Sequence, residues 1–196
     1  MSAHEHMEHV EHASHSGSKG IALMIAILAA LLAFSETLGR NAQTYAITEN
    51  VSANDLWAFF QAKTIRMTVL NTASEQLQIE AARAADPDIK ARLNKTISDW
   101  KELVARYDDD AKSNEGRKQL IERARQAENG RELALSRYHN YEFASALLQL
   151  GIVLASASVI TGIALLGWLS GGLGILGIAL TGLGLWAPHA LHALIG

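Results

Sequence analysis

The side chains best suited to chemistry lie at the start of the chain, where histidines and glutamates are concentrated. Five of the eight histidines fall in the first 19 residues, and they are His4, His6, His9, His12 and His15. Residues three apart are neighbours on a helix, so the imidazoles that recur at every third position could share a cation. Neutral imidazoles bind borderline cations such as Zn²⁺, Ni²⁺ or Cu²⁺. We therefore predict a disordered His/Glu-rich tail over residues 1–19 that binds or senses a divalent metal, with a purely solvated tail as the alternative.

The rest of the chain lacks the residue sets that catalysis requires. It has no cysteine, its only histidine between residues 39 and 142 is His139, and no Gly-rich phosphate loop follows a strand. The run Asp108-Asp109-Asp110 is predicted to be a solvated face, because consecutive helical residues point about 100° apart. A net charge of −3 with mixed signs argues against nucleic acid. We expect a protein that is not an enzyme and has no required cofactor.

Three apolar segments are long enough to cross a bilayer, which takes about 20 residues of helix. Residues 143–169 and 173–195 contain no Asp, Glu, Lys or Arg, and Ser170-Gly171-Gly172 is the predicted turn between them. Residues 20–38 form the earlier segment. A cleaved signal peptide is the alternative there, but the acidic start and the absence of a small-x-small site favour a retained span. The sequence thus predicts an all-α membrane protein with three transmembrane helices.

The polar residues 39–142 are predicted to form a helical coiled-coil-like hairpin or bundle between the first two spans. A short break is expected at residues 51–55, and Asp86-Pro87 should end the next helix. Apolar or small residues then recur at spacings of three and four, as in a coiled-coil seam. In the first arm they are Met67, Leu70, Ser74, Leu77, Ala81 and Ala84. In the second arm they are Ile89, Leu93, Ile97, Trp100, Val104, Tyr107 and Ala111.

The two arms of this region have unequal predicted lengths, so part of each seam needs another partner. Either the second arm folds back near Gly116 and gives three helices, or the first arm's partner includes the stretch from Arg40. Both alternatives leave apolar surface that a second copy of the chain would cover, so we predict a homo-oligomer. The predicted assembly residues are the cluster Trp57, Phe59, Phe60 and Gln61 and the GxxxG pair Gly167 and Gly171.

Basic residues near the spans predict the orientation in the membrane. Lys19 marks the tail side, whereas Arg40, Arg131 and Arg137 lie on the side of the polar region. Because positive residues favour the cytoplasmic side, the polar region is predicted to be cytoplasmic.

Two stretches of the chain resemble a bacterial family called domain of unknown function 4337. They are NDLWAFFQAK at residues 54–63 and YHNYEFASALLQLGIVLASASVIT at residues 138–161, and Arg40-Asn41-Ala42 near the end of the first span also fits. The resemblance covers nearly the whole chain and implies a three-span inner-membrane protein with a helical insertion. It implies no activity, and no functional residue can be carried over from it.

Taken together, these patterns predict a non-enzymatic, homo-oligomeric membrane scaffold or an accessory subunit of a larger membrane complex. The alternative is divalent-metal binding or sensing through the His-rich tail, alone or together with a pore in the oligomer. The partners expected are the lipid bilayer, further copies of the chain and unidentified membrane-complex subunits.

Overall fold

Four α-helices make up the described part of the protein. The computed structural model describes the backbone of residues 3–189 and the side chains of residues 19–189. The helices are α1 (Ala3–Arg83), α2 (Pro87–Asp108), α3 (Arg117–Thr161) and α4 (Ala164–Trp186). Three of them contain stretches that are long and apolar enough to cross a membrane by length and composition, one each in α1, α3 and α4.

The chain divides into two compact units. We call Met1–Ala46 with Glu132–Gly196 the apolar unit, and Ile47–Arg131 the polar unit. Helices α1 and α3 contribute residues to both units, whereas α2 belongs to the polar unit and α4 to the apolar unit.

Helix α1 is one uninterrupted helix of 81 residues. Between Gly39 and Pro87 the sequence has no glycine or proline, so no residue there removes a helical hydrogen bond or favours a left-handed backbone. The break predicted at residues 51–55 is wrong: α1 continues through it, and Ala53 is buried within the polar unit. Packing of this alanine overrides the weak tendency of Ser52, Asn54 and Asp55 to cap a new helix.

Local capping sets the boundaries of α2. Asp86 accepts a 2.8 Å hydrogen bond from the backbone N–H of Asp88, and Pro87 occupies the first helical turn, where its missing N–H is harmless. The helix ends at Asp108, so Ala111, predicted to be in the seam of this arm, lies beyond it. The connection to α3 contains Asn114 at φ +57°, a left-handed conformation that asparagine tolerates, and ends at Gly116.

Contacts within the polar unit show that α1 runs antiparallel to α3. The indole Nε1 of Trp57 donates a 2.8 Å hydrogen bond to Glu128 Oε1, and Arg131 Nη1 donates to Asn50 Oδ1 at 3.2 Å. Rising residue numbers on α3 therefore match falling numbers on α1. Asn50 lies between Arg40 and the break predicted at residues 51–55, so these contacts favour the alternative in which the stretch from Arg40 is included in the pairing.

The buried face of the polar unit follows the predicted seam of α1. Met67, Ser74 and Ala81, which the spacing places in that seam, are buried. Ala53 extends this line toward the start of the unit at the same seven-residue period, and we call these four residues the inner seam. Across from it, α2 buries Ile97 and α3 buries Leu120, Ala124 and Ala127.

The turn between the last two helices is not where the sequence predicts it. Helix α3 ends at Thr161, Gly162 adopts φ +69°, and α4 begins at Ala164. The predicted turn at Ser170-Gly171-Gly172 is wrong, because all three residues lie inside α4. The predicted segments 143–169 and 173–195 therefore have the wrong shared boundary, and residues 190–195 lie outside the described range.

Two interactions explain why the turn forms at Gly162. A left-handed glycine commonly closes a helix, and the Ser158 hydroxyl donates a 3.0 Å hydrogen bond to the carbonyl of Ile163 at the same point. Ser170, by contrast, is fully buried, and its hydroxyl donates to the Gly151 carbonyl at 2.7 Å. A buried serine paired across two helices is held inside the packed segment and does not form a solvent-exposed turn.

Small residues bring α4 close to its neighbours in the apolar unit. Gly174 contacts Leu28 of α1, Gly177 contacts Leu148 of α3, and a Cβ at either position would come within 3 Å of the leucine. A Cβ at Gly184 would likewise come within 3 Å of the ring of Tyr141. The predicted first span, residues 20–38, forms part of this packing through Leu28 and through Ser35, whose hydroxyl donates to the Tyr141 carbonyl at 3.2 Å.

Candidate assembly site

A second line of apolar residues on α1 is exposed within the polar unit. Ile47, Val51, Ile65, Val69 and Ile79 have relative exposures of 60%, 53%, 64%, 61% and 55%. We call these five residues the outer seam. Ile65 is two positions from Met67 of the inner seam, which is a rotation of about 200° on a helix. The outer seam therefore lies on the opposite side of α1 from the packed face.

The spacing of the outer seam is that of a helix-packing repeat. Val51, Ile65 and Ile79 lie fourteen residues apart, and the positions midway between them are Ala58 and Thr72. A seven-residue repeat keeps one face of a helix turned toward a parallel or antiparallel neighbour. This line was not recognised from the sequence, although its period of seven was the signal that could have revealed it.

The line of the outer seam itself carries no charge between Ile47 and Ile79, although exposed residues such as Asp55, Arg66 and Glu75 flank it. The residues that continue the line between Ile47 and Ile79 are uncharged, and they are Asn54, Ala58, Ala62, Thr72 and Gln76. Most of them are exposed, as are the seam residues themselves. An exposed line of apolar and uncharged residues of this kind is a candidate interaction surface.

The four aromatic and amide residues predicted for assembly do not share one face. Trp57 and Phe60 pack edge to face with ring centroids 5.6 Å apart, and Arg117 lies 4.9 Å from the Phe60 ring. These two rings are thus occupied by contacts within the polar unit. Phe59 and Gln61 are exposed, and Gln61 is four residues before Ile65 on the side of the outer seam.

The buried lysine of the polar unit is held by aromatic rings. Lys63 is only 6% exposed, and its Nζ lies 4.9 Å from the centroid of Phe59 and 5.6 Å from that of Tyr107. Attraction between the ammonium and the ring faces offsets part of the cost of removing this charge from water. Phe59 is therefore partly used by its own chain as well.

The two glycines predicted for assembly are in different surroundings. A Cβ on Gly167 would lie 3.3 Å from the hydroxyl of Ser158, so this residue faces α3 of the same chain. Gly171 has no such neighbour within 4 Å among the described atoms and lies on open surface. Whether Gly167 and Gly171 also act between chains stays a prediction.

The acidic run after α2 organises the connection to α3. Asp109 accepts a 2.7 Å hydrogen bond from Gln119 and forms a 3.1 Å ion pair with Lys118, while Asp108 lies 3.8 Å from the same ammonium. The Gln119 hydrogen bond and the Lys118 charge hold the pKa of Asp109 below its ordinary value, and Asp109 in turn raises the pKa of Lys118. The carboxylates remain at the surface, and their hydrogen bond and ion pairs connect the end of α2 to the start of α3.

The structure describes no metal site. Among residues 19–189, no three His, Asp or Glu side chains are placed to share a metal ion. The predicted ligands His4, His6, His9, His12 and His15 lie outside the described side chains, although α1 itself begins at Ala3, inside the predicted tail. Metal binding by the tail stays a prediction.

The fold and this surface define a class: an all-helical protein with three helices suited to a membrane and a polar unit that exposes a helix-packing seam. The chain belongs to the family described as domain of unknown function (DUF4337), whose model matches residues 17–187. This match confirms the family that the two quoted stretches indicate. No curated protein and no solved structure gave a significant match.

Proposed function

We propose that this protein is a non-enzymatic, homo-oligomeric membrane scaffold in which the outer seam of α1 joins one copy to the next. Its three apolar helical stretches would cross the bilayer, and the polar unit would stand as a coiled-coil-like hairpin on the cytoplasmic side of the bacterial inner membrane. Arg40, Arg131 and Arg137 support that orientation, since basic residues are retained on the cytoplasmic side.

The exposure of the outer seam is the observation that carries this proposal. Its five branched apolar residues are each more than half exposed in the single chain. Burying such a side chain contributes about 1.5–3 kcal/mol. Contact of all five with another apolar helix would therefore stabilise an assembly.

A second copy of this chain is the partner that fits the seam. Copies anchored in one membrane with the same orientation hold their α1 helices parallel, so the seven-residue repeats of two neighbours run in the same direction. Val51, Ile65 and Ile79 lie fourteen residues apart on this face, with the uncharged Ala58 and Thr72 midway, so the faces of two parallel neighbours would match position by position.

The test is the mass of the full-length protein in mild detergent, measured by size-exclusion chromatography with light scattering. We expect a single defined multiple of 21.2 kDa for the natural sequence. Ile65→Lys with Val69→Lys should lower that multiple, because two ammonium groups would face their own copies across the seam. A strictly monomeric natural protein would contradict the proposal.

A control places one ammonium group elsewhere on the polar unit, and its counterpart in the seam is Ile65→Lys alone. Ile89 of α2 is 52% exposed and lies outside the outer seam, so Ile89→Lys should leave the mass unchanged. Equal loss of assembly in both variants would point to a general effect of charge and would overturn the role of the seam. Foreign subunits in a fixed ratio would make the protein an accessory subunit of another complex.

A further inference from the structure

The apolar unit carries two grooves at the same level, one on each side of the contact between α1 and α3. The first is lined by Glu36, Arg40 and Glu142, with Gln43, Tyr138 and Gln149. The second is lined by Asn41, Tyr45, Arg137 and Tyr141, with Leu38 and Leu185 among its apolar walls. Both begin where the charge-free stretch of α1 ends, so in the proposed membrane they open among the lipid headgroups.

The charges of the two grooves differ in sign. In the first groove, Arg40 is 3.7 Å from Glu36, and Gln149 also donates to Glu36, at 3.3 Å. With Glu142 added, carboxylates outnumber guanidinium groups there. In the second groove Arg137 is the one charged side chain among the lining residues.

The Arg137 guanidinium has no acidic partner within the described residues. No Asp or Glu oxygen of residues 19–189 lies within 4.0 Å of it. Its Nε is buried and has no hydrogen-bond acceptor. The observation that favours an anion is that Arg137 lines a groove whose other lining residues are all uncharged, and phosphate oxygens match the planar fork of a guanidinium.

We propose that the second groove binds the phosphate of a phospholipid headgroup through Arg137. The groove of about 320 Å³ has room for a phosphate and part of a glycerol, since one water occupies about 30 Å³. The hydroxyl and amide groups of Tyr45, Tyr141 and Asn41 line the same space. The apolar walls formed by Leu38 and Leu185 suit the first carbons of the acyl chains.

A lipid is favoured over free phosphate because of this combination of walls. A soluble anion gains nothing from Leu38 or Leu185, whereas a phospholipid buries apolar carbon against them. Trp186, next to Leu185 at the end of α4, is 87% exposed, as expected for an aromatic residue at the headgroup level. The inference rests on the membrane placement proposed above and does not depend on the outer seam.

The experiment is a lipid titration of the full-length protein in neutral detergent, followed by thermal unfolding. The probes are phosphatidylglycerol, phosphatidylcholine and inorganic phosphate. We expect phosphatidylglycerol to raise the unfolding temperature at the lowest concentration. Arg137→Gln should weaken its apparent affinity about tenfold or more, because a charge-assisted hydrogen bond is lost. The affinity of Arg137→Lys should lie between that of the natural protein and that of Arg137→Gln, since lysine keeps the charge and loses the planar pair of donors.

Arg40→Gln is the matched control. It removes the same charge at the same level from the first groove, so it should change the affinity for phosphatidylglycerol less than about threefold. Equal losses for Arg40→Gln and Arg137→Gln would show general attraction to an anionic surface and would overturn the site. Stabilisation by inorganic phosphate that equals that by the lipid would overturn the assignment of a lipid.

Two further measurements separate this inference from a failure to fold or assemble. Unfolding temperatures without added lipid show whether Arg137→Gln folds. If it does not fold, the affinity of Arg137→Lys for phosphatidylglycerol tests the site instead. The oligomer mass is measured in the same samples. If the oligomer is intact but lipid binding does not depend on Arg137, the lipid site is overturned and the proposed scaffold is not affected. If the protein is a monomer that still binds lipid through Arg137, the scaffold is overturned and the lipid site is supported.

Discussion

The apolar and polar units are held together by different kinds of contact, although α1 and α3 take part in both. In the apolar unit, glycines at positions 174, 177 and 184 let helices approach until side chains touch the backbone. In the polar unit, larger side chains such as Met67 and Leu120 fill the space between helices, and Trp57, Asp109 and Arg131 add hydrogen bonds and ion pairs.

The difference follows from the solvent each unit is suited to. Lipid is as apolar as leucine, so burying leucine in a bilayer yields little, and close packing with buried serine hydrogen bonds must supply the stability. In water the transfer of apolar surface drives packing directly. One continuous helix therefore changes its packing chemistry along its length. Substitutions of matched type in the two units should separate these contributions.

The largest expected effect is in the polar unit, where Leu120 is fully buried. Leu120→Ala should lower the free energy of unfolding by about 2–5 kcal/mol, because it removes buried carbon and leaves a cavity. Leu135→Ala on the same helix is the control, since Leu135 is 38% exposed and should lose much less. Denaturant unfolding followed by circular dichroism measures both, and similar losses would contradict the assignment of Leu120 to the core.

The next effect lies in the apolar unit and has the opposite origin. A Cβ at residue 177 would lie 2.8 Å from Leu148 Cγ and 3.2 Å from the Ala144 carbonyl. Gly177→Ala should therefore destabilise by about 1–3 kcal/mol through overpacking, even though alanine favours a helix. Thermal unfolding in detergent gives the measurement.

Gly171→Ala is the matched control for that substitution. Gly171 has open space around its Cα, so alanine there should be neutral or stabilising, with a gain of up to about 1 kcal/mol from helix propensity. If Gly171→Ala proved as harmful as Gly177→Ala in the assembled protein, Gly171 would be packed against another chain.

A smaller effect is expected at the hydrogen bond between Trp57 and Glu128. Trp57→Phe keeps most of the ring and loses the 2.8 Å bond from Nε1 to the carboxylate. The partly exposed position suggests a loss of about 1 kcal/mol. Glu128→Gln keeps an acceptor and should lose less. A double-mutant cycle by denaturant unfolding measures the coupling, and a value near zero would show that the indole acts only by packing.

The smallest effect is the acid sensitivity of the contacts that Asp109 makes with Lys118 and Gln119 between α2 and α3. The pKa of Asp109 is lowered on folding, so the stability it contributes is present above the unfolded value of 3.8 and is lost as the pH falls through the lower folded value. Asp109→Asn should remove this part of the acid dependence. Unfolding temperatures of the two proteins between pH 7 and pH 2 should converge as the pH drops, and parallel curves would contradict the role of Asp109.

Much of the helical architecture was predictable because its causes are local. The charge-free stretches predict the apolar helices, Asp86-Pro87 starts α2 by capping and by the fixed φ of proline, and Met67, Ser74 and Ala81 form a buried face at a regular spacing. The two local errors have physical reasons. Ala53 is packed, so α1 passes through the expected break, and the buried hydrogen bond of Ser170 keeps α4 helical where a turn is expected.

The sites were less predictable than the helices. Trp57 and Phe60 were expected on one surface with Phe59 and Gln61, yet these two rings pack against each other, and Phe60 also against Arg117, while Phe59 and Gln61 are exposed. The outer seam was overlooked because a second seven-residue period overlaps the first in the same sequence. Arg137 was recognised only as a basic residue near a span, since the missing acidic partner is a property of three-dimensional contacts.

The family, the helical class and the number of apolar stretches could be predicted before the fold was known, because they depend on composition, periodicity and residues adjacent in the chain. The packed and exposed sides of α1, the glycines that touch another helix and the uncharged lining around Arg137 became visible only in the folded protein. Those properties depend on residues far apart in sequence, such as Gly177 with Leu148 or Trp57 with Glu128, whose proximity is created by the folding of the helices against each other.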